Sequence, residues 1–248
     1  MNTHGRWQVG PLTLWLRHEP GDWWLGRLEG PDPLASGATV TLPEPEPAPP
    51  DVYVMRFAAL PDAEGEVELL PVLADRPVVV RPEPSVELPA GGQVVLYVST
   101  PVWVRVRVGG VVVHDVPTLR PSDTWFGSDT MSGELCYASR TAARVQLDRT
   151  IPRAARATTS ITVRNRGTRP MTVRRISLPA PTMTLFAEAS GRLWTDPLYL
   201  ESEDGLTVHV RRHGSPPPEA PEATLVAQPH KTLEPGLAIL RRLTELVG

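Results

Sequence analysis

The chain has 248 residues, 41% of them apolar, which is enough to fill a core and excludes wholesale disorder. Its 29 prolines and 19 glycines weigh against long helices, because each proline removes a backbone donor and fixes φ. A formal net charge of −3 argues against a dedicated nucleic-acid binder, and no run approaches the roughly 20 apolar residues that span a bilayer.

The start, MNTHGRWQVG, lacks the charged-then-apolar layout of a secretory signal, and the lone Cys136 suits a reducing compartment, so a cytoplasmic location is expected. Charge is uneven along the chain. Arg6 to Arg120 carries nine basic and fifteen acidic residues, whereas the remainder carries sixteen and thirteen. Lys231 is the only lysine, a bias of coding before it is one of physics.

In chain order, Leu12-Thr13-Leu14-Trp15-Leu16 and Val67-Glu68-Leu69 alternate as half-buried strands do. The segment Pro43 to Pro50 is an acidic, polyproline-like loop. Gln93 to Val98 is a continuous apolar run between Gly91-Gly92 and Pro101, as for a strand buried on both faces. Next, Val104, Val106 and Val108 alternate with Arg105 and Arg107, and Gly109-Gly110 supplies the positive φ values of a tight hairpin turn. In the unbroken register Val108 faces Val111, Val106 faces Val113 and Arg105 faces His114. A boundary is read at Pro117 to Pro121, where the composition turns basic.

Beyond it, Ile161 to Arg164 alternates and ends in Asn165-Arg166-Gly167. Met171 and Val173 then have one parity and Ile176 and Leu178 the other, so a bulge at Arg174-Arg175 is expected to keep both pairs on the core face. Leu206, Val208 and Val210 form a late strand. From Pro235, the apolar residues Ile239, Leu240, Leu243, Leu246 and Val247 share one side of a helical wheel, which predicts a short amphipathic helix. The chain is therefore expected to be all-β, with two β-sandwich-like modules of antiparallel strands at residues 1–120 (acidic) and 121–228 (basic). The helix occupies 229–248.

Nothing in the sequence matches a catalytic motif with defensible mechanics. Cys136 needs a histidine beside it to serve as a nucleophile, and a small buried thiol is the simpler account. His209 and His213 have the helical spacing of metal ligands but fall on a strand with Arg211 between them. Asp62, Glu64, Glu66 and Glu68 do not continue to a distal bidentate carboxylate, and charged outward residues of an edge strand explain them better. No catalytic residue, cofactor or metal site is therefore expected.

Three kinds of surface remain. Between Arg140 and Leu178 stand ten arginines against one acid, Asp148. Among them Arg164, Arg166, Arg169, Arg174 and Arg175 suit either an anionic partner or an internally paired face, while the lack of aromatic residues there disfavours nucleic acid. Trp23 and Trp24 are adjacent and must face opposite sides of a strand, which leaves one as a candidate contact. The stretch Ser122 to Tyr137, SDTWFGSDTMSGELCY, is dense in small polar residues around Trp125, Phe126 and Asp129 and reads as a hinge or binding loop. Leu240 and Leu243 on the expected helix must dock somewhere.

That stretch, together with Gly191-Arg192-Leu193-Trp194-Thr195, resembles a prokaryotic domain-of-unknown-function family, DUF432, whose members carry a similar W-F-G…G-x-x-C-Y segment. The resemblance implies no established activity. It does make a membrane protein, of the mechanosensitive-channel kind, a partner to test. Separately, Val163 to Gly167 through Pro170 to Val173 is similar to a hairpin of immunoglobulin-like modules. The expected function is non-enzymatic protein binding or scaffolding. The alternative is a ligand-binding module for an anionic or carbohydrate ligand, and a hydrolase using Cys136 stands third.

Overall fold

The computed structural model describes residues 3–41, 48–49, 52–58, 66–127, 133–147, 152–203, 207–231 and 239–242. Strands dominate, because alternating apolar residues between Pro/Gly turns leave each segment one face to bury. In chain order come β1 (Thr3–Val9), β2 (Leu12–Glu19), β3 (Asp22–Glu29), β4 (Ala38–Thr41), β5 (Tyr53–Ala58) and β6 (Val67–Val72). There follow β7 (Val78–Pro82), β8 (Val86–Leu88), β9 (Gln93–Pro101), β10 (Trp103–Val108), β11 (Val111–Pro117), β12 (Ser122–Phe126) and β13 (Glu134–Thr141). The rest are β14 (Arg156–Asn165), β15 (Met171–Val173), β16 (Ile176–Leu178), β17 (Leu185–Ala187), β18 (Leu193–Thr195), β19 (Leu198–Ser202), β20 (Thr207–Arg212), β21 (Thr224–Ala227) and β22 (Ile239–Arg242). Among the described residues no helix is long and apolar enough to cross a membrane.

The chain divides into two units. One comprises Met1–Val72, Pro101–Arg120 and Arg153–Ala155; the other comprises Leu73–Thr100, Pro121–Pro152 and Arg156–Gly248. The division does not fall at one point, since residues 73–100 pack with the second unit and 153–155 with the first.

The first unit is a sandwich. A five-stranded antiparallel sheet, ordered β4-β1-β2-β3-β5, faces the three-stranded sheet β11-β10-β6. Leu12, Leu14 and Leu16 of β2, with Trp23 and Leu25 of β3, pack on Val104, Val106 and Val108 of β10 and Val116 of β11. Each such side chain contributes roughly 2 kcal/mol on burial, so this layer outweighs any surface ion pair in the unit.

The Gly109-Gly110 turn forms as expected, with φ of 55° and 80°. Val108 pairs with Val111 and Arg107 with Val112, but the register then shifts by one, so that Val106 pairs with His114 and Arg105 with Asp115. Without this bulge Asp115 would lie opposite Val104 on the core face. With it, Val116 takes that place and is fully buried, while Arg105 grips Asp115 through two hydrogen bonds of 2.8 and 2.7 Å.

The second unit mixes parallel and antiparallel pairs. One sheet runs β12-β13-β7-β16, with β13 parallel to β7. In the larger sheet β9 pairs with β14, while β18 and β19 both run parallel to β14. The Asn165 N–H donates to Gly92 on the β9 side and the Arg166 N–H to Ser202 on the other, so β18 and β19 follow each other along the edge of β14 opposite β9. Val163, Leu200 and Val208 form one wall of the interior seam, and Met171, Val173 and Ile176 the other. β9 buries Leu96 and Val98 fully, but Val95 and Tyr97 only by half, so the run expected to be covered on both faces is covered fully on one.

Three further expectations need correction. The phase change at Arg174-Arg175 is a break between two strands, not a bulge within one: β15 pairs with β8, β16 pairs with β7, and all four apolar residues are buried. The immunoglobulin-like hairpin does not form, because β14 pairs with β9, β18 and β19 and β15 goes to β8. The buried Asn165 amide turns the chain there, reaching the carbonyls of Leu88, Pro89 and Arg169, while its Oδ1 accepts from the Gly167 N–H. Lastly, Ile239–Arg242 is not helical but forms β22, antiparallel to β20, with Val210 opposite Ile239 and His209 opposite Leu240. An isolated helix of about three turns is marginal, whereas the edge of β20 offers backbone groups that need partners. The rest of the expected helix, Leu243 included, lies outside the described residues.

The two kinds of contact in the first unit differ in size. Leu14→Ala is expected to lower the unfolding free energy by about 3 kcal/mol, and Asp115→Ala by about 1 kcal/mol. Urea unfolding at unchanged m-value measures both; equal losses would show that the ion pair, not the apolar layer, holds the sandwich.

Candidate functional site

The stretch singled out as SDTWFG…GELCY is the antiparallel hairpin β12–β13. Period-2 alternation places Trp125 directly opposite Leu135, and both are exposed, at 40% and 44%. Single exposed apolar residues occur on other strands as well, such as Val54, Val112 and Leu225, but here an aromatic and an aliphatic side chain stand directly opposite each other beside the sheet edge. The Trp125 indole also packs closely over Gly133. A Cβ on Gly133 would stand 1.9 Å from the indole Nε1, so the ring lies against the glycine backbone and only glycine admits it there. Arg175 donates to the Trp125 carbonyl at 2.6 Å and lays its guanidinium 5.4 Å from the centroid of the buried Phe126 ring. Burial, then the neighbouring Arg81, hold the Arg175 pKa below its ordinary value. Behind the hairpin, the Tyr137 hydroxyl donates to Asp75 at 2.9 Å, and burial with that bond pushes its pKa up to about 12, so it remains a donor. Asp129 lies outside the described residues.

The arginine-rich segment does not act as one patch. Arg175 belongs to the hairpin just described. Arg174 is exposed at the strand break, and Arg169 is exposed on the turn that Asn165 closes. Arg164 and Arg166 converge on Glu201 together with Arg211 of β20: Arg166 donates to Oε1 at 2.8 Å, Arg211 to Oε2 at 2.6 Å, and Arg164 stands 4.0 Å away. The Arg166 hydrogen bond, followed by the charges of the arginines, keeps the Glu201 carboxyl below the usual range. The sequence does not reveal Glu201, because the parallel register that places Arg164 opposite it joins strands remote in the chain.

Trp23 and Trp24 do face opposite ways. Trp23 is buried in the first core and stacks on His18 at 4.4 Å. Trp24 is half-buried on the outer face between the guanidinium groups of Arg17 and Arg56, at 5.2 and 5.4 Å. Arg17 and Arg56 are in turn paired with Glu19 and Asp22. The exposed tryptophan expected here is therefore capped by cations.

Chemically active groups are held in structural roles. Cys136 is fully buried and its thiol donates to the Glu134 carbonyl at 3.4 Å. His213 meets the Tyr199 ring edge-on at 5.4 Å, and among the described residues no three His, Cys, Asp or Glu side chains form a metal-binding group. The buried carboxylate the sequence did not flag is Asp196. It accepts from the Thr184 N–H at 2.7 Å and meets Arg212 at 3.4 Å, while burial raises its pKa. It sits where β18 gives way to β19: Thr158 pairs with Trp194 but Ile161 with Leu198, so one residue is extra and the Asp196 side chain fastens the step.

A family model described as "Protein of unknown function (DUF432)" matches residues 1–244. No curated protein and no solved structure matches the chain.

Asp196 gives a signed prediction. Its carboxyl is raised in the fold, so as pH climbs above the ordinary value of 3.8 the unfolded state ionises first, and stability falls until the folded group has ionised as well. Asp196→Asn keeps an acceptor for Thr184 and carries no charge, so its stability relative to wild type should rise across that interval. Unfolding curves taken from acidic to neutral pH test this; a difference that is flat or falls with pH would contradict it.

Proposed function

We propose that this chain, which belongs to the DUF432 family, is a non-enzymatic protein-binding β-sandwich protein that engages its partner through the β12–β13 hairpin. The observation that carries the reading is the exposed Trp125–Leu135 pair, with the indole seated on Gly133 before any partner arrives. A fixed aromatic beside an aliphatic neighbour is the usual form of an interface anchor, because it contributes apolar area while losing little rotamer freedom on binding. Its surroundings fit as well. Asp123 of β12 forms an exposed ion pair with Arg76, which precedes β7, and gives a polar rim of the kind that surrounds an apolar centre. β12 is the outer strand of its sheet in the described order β12-β13-β7-β16, so a partner strand can add to the same edge.

Because both side chains are exposed, Trp125→Ala with Leu135→Ala should change stability by no more than about 0.5 kcal/mol. Loss of an anchor of about 2 kcal/mol weakens binding roughly 30-fold. Proteins co-purifying with wild type and with the double variant are compared quantitatively, from both soluble and membrane fractions of the native source. A partner retained by the wild type and depleted at least tenfold with the variant supports the reading; identical recovery with both would place recognition elsewhere.

A further inference from the structure

A second surface, on a different sheet from the hairpin, has the chemistry of an anion site. On the outward face of β14, β19 and β20, Arg164 stands opposite Glu201 and Tyr199 opposite Arg211. Elsewhere among the described residues the acids of ion pairs each meet one arginine, as in Arg17 with Glu19, Arg56 with Asp22, Arg76 with Asp123, Arg107 with Glu68 and Arg212 with Asp196. Here three arginines share the single carboxylate of Glu201. The cluster therefore keeps a surplus of two positive charges, since arginine does not deprotonate. The exposure is graded to match: the arginine side chains are 44%, 42% and 62% exposed, and that of Glu201 only 21%. The carboxylate thus forms the floor of the cluster and the guanidinium forks its outer layer. Each fork has five donors, and Glu201 takes one from Arg166 and one from Arg211. Planar forks ordered in advance suit the oxygens of a phosphate group, which they bind in pairs.

We propose that Arg164, Arg166 and Arg211 bind a phosphate-bearing ligand, with Glu201 as the internal anion that orders the forks and weakens binding by its own charge. The source is either a soluble phosphate compound or a lipid headgroup, and two probes separate them. Calorimetric titration of the full chain with inorganic pyrophosphate should show binding that weakens as salt is raised. Glu201→Gln should tighten it several-fold, and Arg166→Gln with Arg211→Gln should weaken it at least tenfold. Arg164→Gln, which leaves both close bonds to Glu201 in place, should weaken it severalfold at unchanged melting temperature.

Co-sedimentation with phosphatidylglycerol vesicles in a phosphatidylcholine background is the second arm. Vesicle binding displaced by pyrophosphate identifies a headgroup, and pyrophosphate binding without vesicle binding identifies a soluble ligand; either supports the site. Binding of neither probe by the wild type overturns it, as does a folded Arg164→Gln protein that binds as the wild type does, or weaker binding by a folded Glu201→Gln protein. Trp125→Ala with Leu135→Ala should leave pyrophosphate binding unchanged.

Discussion

The contact on which each unit depends is the burial of every second side chain against a facing sheet. In the first unit the leucines of β2 and the valines of β10 meet with exposures of 3% or less, apolar on apolar and without polar interruption. Such a layer fixes much more than stability. A slip of one residue would carry a whole row to the wrong face, so each irregularity in the sequence pattern has to be absorbed at a definite place.

Three places absorb it in three ways. At Val113 a bulge moves Asp115 off the core face and onto Arg105. At Arg174-Arg175 the chain changes strand partner, passing from β8 to β7, so that residues of opposite parity are both buried. At Asp196 an extra residue is taken up between two strands on one edge of β14, and its carboxylate is buried to hold the step. The last device is costly, because desolvation opposes the charge; the Thr184 N–H and Arg212 offset that cost only in part, and the pKa rises. Polar groups here do not drive folding. They fix the register that the apolar layers require.

This division explains what could be read in advance. Alternation and turn chemistry are local, so the Gly109-Gly110 hairpin, the outward Arg211 of β20 and the all-β character are legible from neighbouring residues alone. Pairings between distant segments are not local, and no periodicity reports them. Glu201 was invisible for that reason: it is an ordinary acid in sequence and becomes the hub of three arginines only once β19 lies parallel to β14. β22 misled for the converse reason. Ile239 to Arg242 reads as part of a helical stripe, yet the unpaired edge of β20 supplies backbone partners that a short helix must do without. At the hairpin, the aromatic cluster was visible, whereas the role of Gly133 as the seat of an indole depends on a cross-strand neighbour.

Function then follows from where the sandwiches leave side chains available. The seam of the second unit holds about 10 Å³, room for about one water, and it is lined mostly by aliphatic residues, with Arg175, Glu201 and Ser202 also on the lining, so it is too small to be a ligand chamber. The tyrosine hydroxyls of Tyr97 and Tyr137 are each committed to a carboxylate, and the thiol of Cys136 to a carbonyl. Two outward rows are exposed, and they differ in kind. Across β12–β13 the row is aromatic and aliphatic; across β14, β19 and β20 it is cationic with one acid beneath. A surface that served only solubility would intersperse charges of both signs and bury its tryptophans. Much of the first unit follows that rule, pairing its arginines singly with acids and sandwiching Trp24 between two of them. The second unit departs from it twice, on two different sheets, with a directly paired aromatic and aliphatic residue on one and three arginines on a single acid on the other, and these are the places where recognition is to be sought.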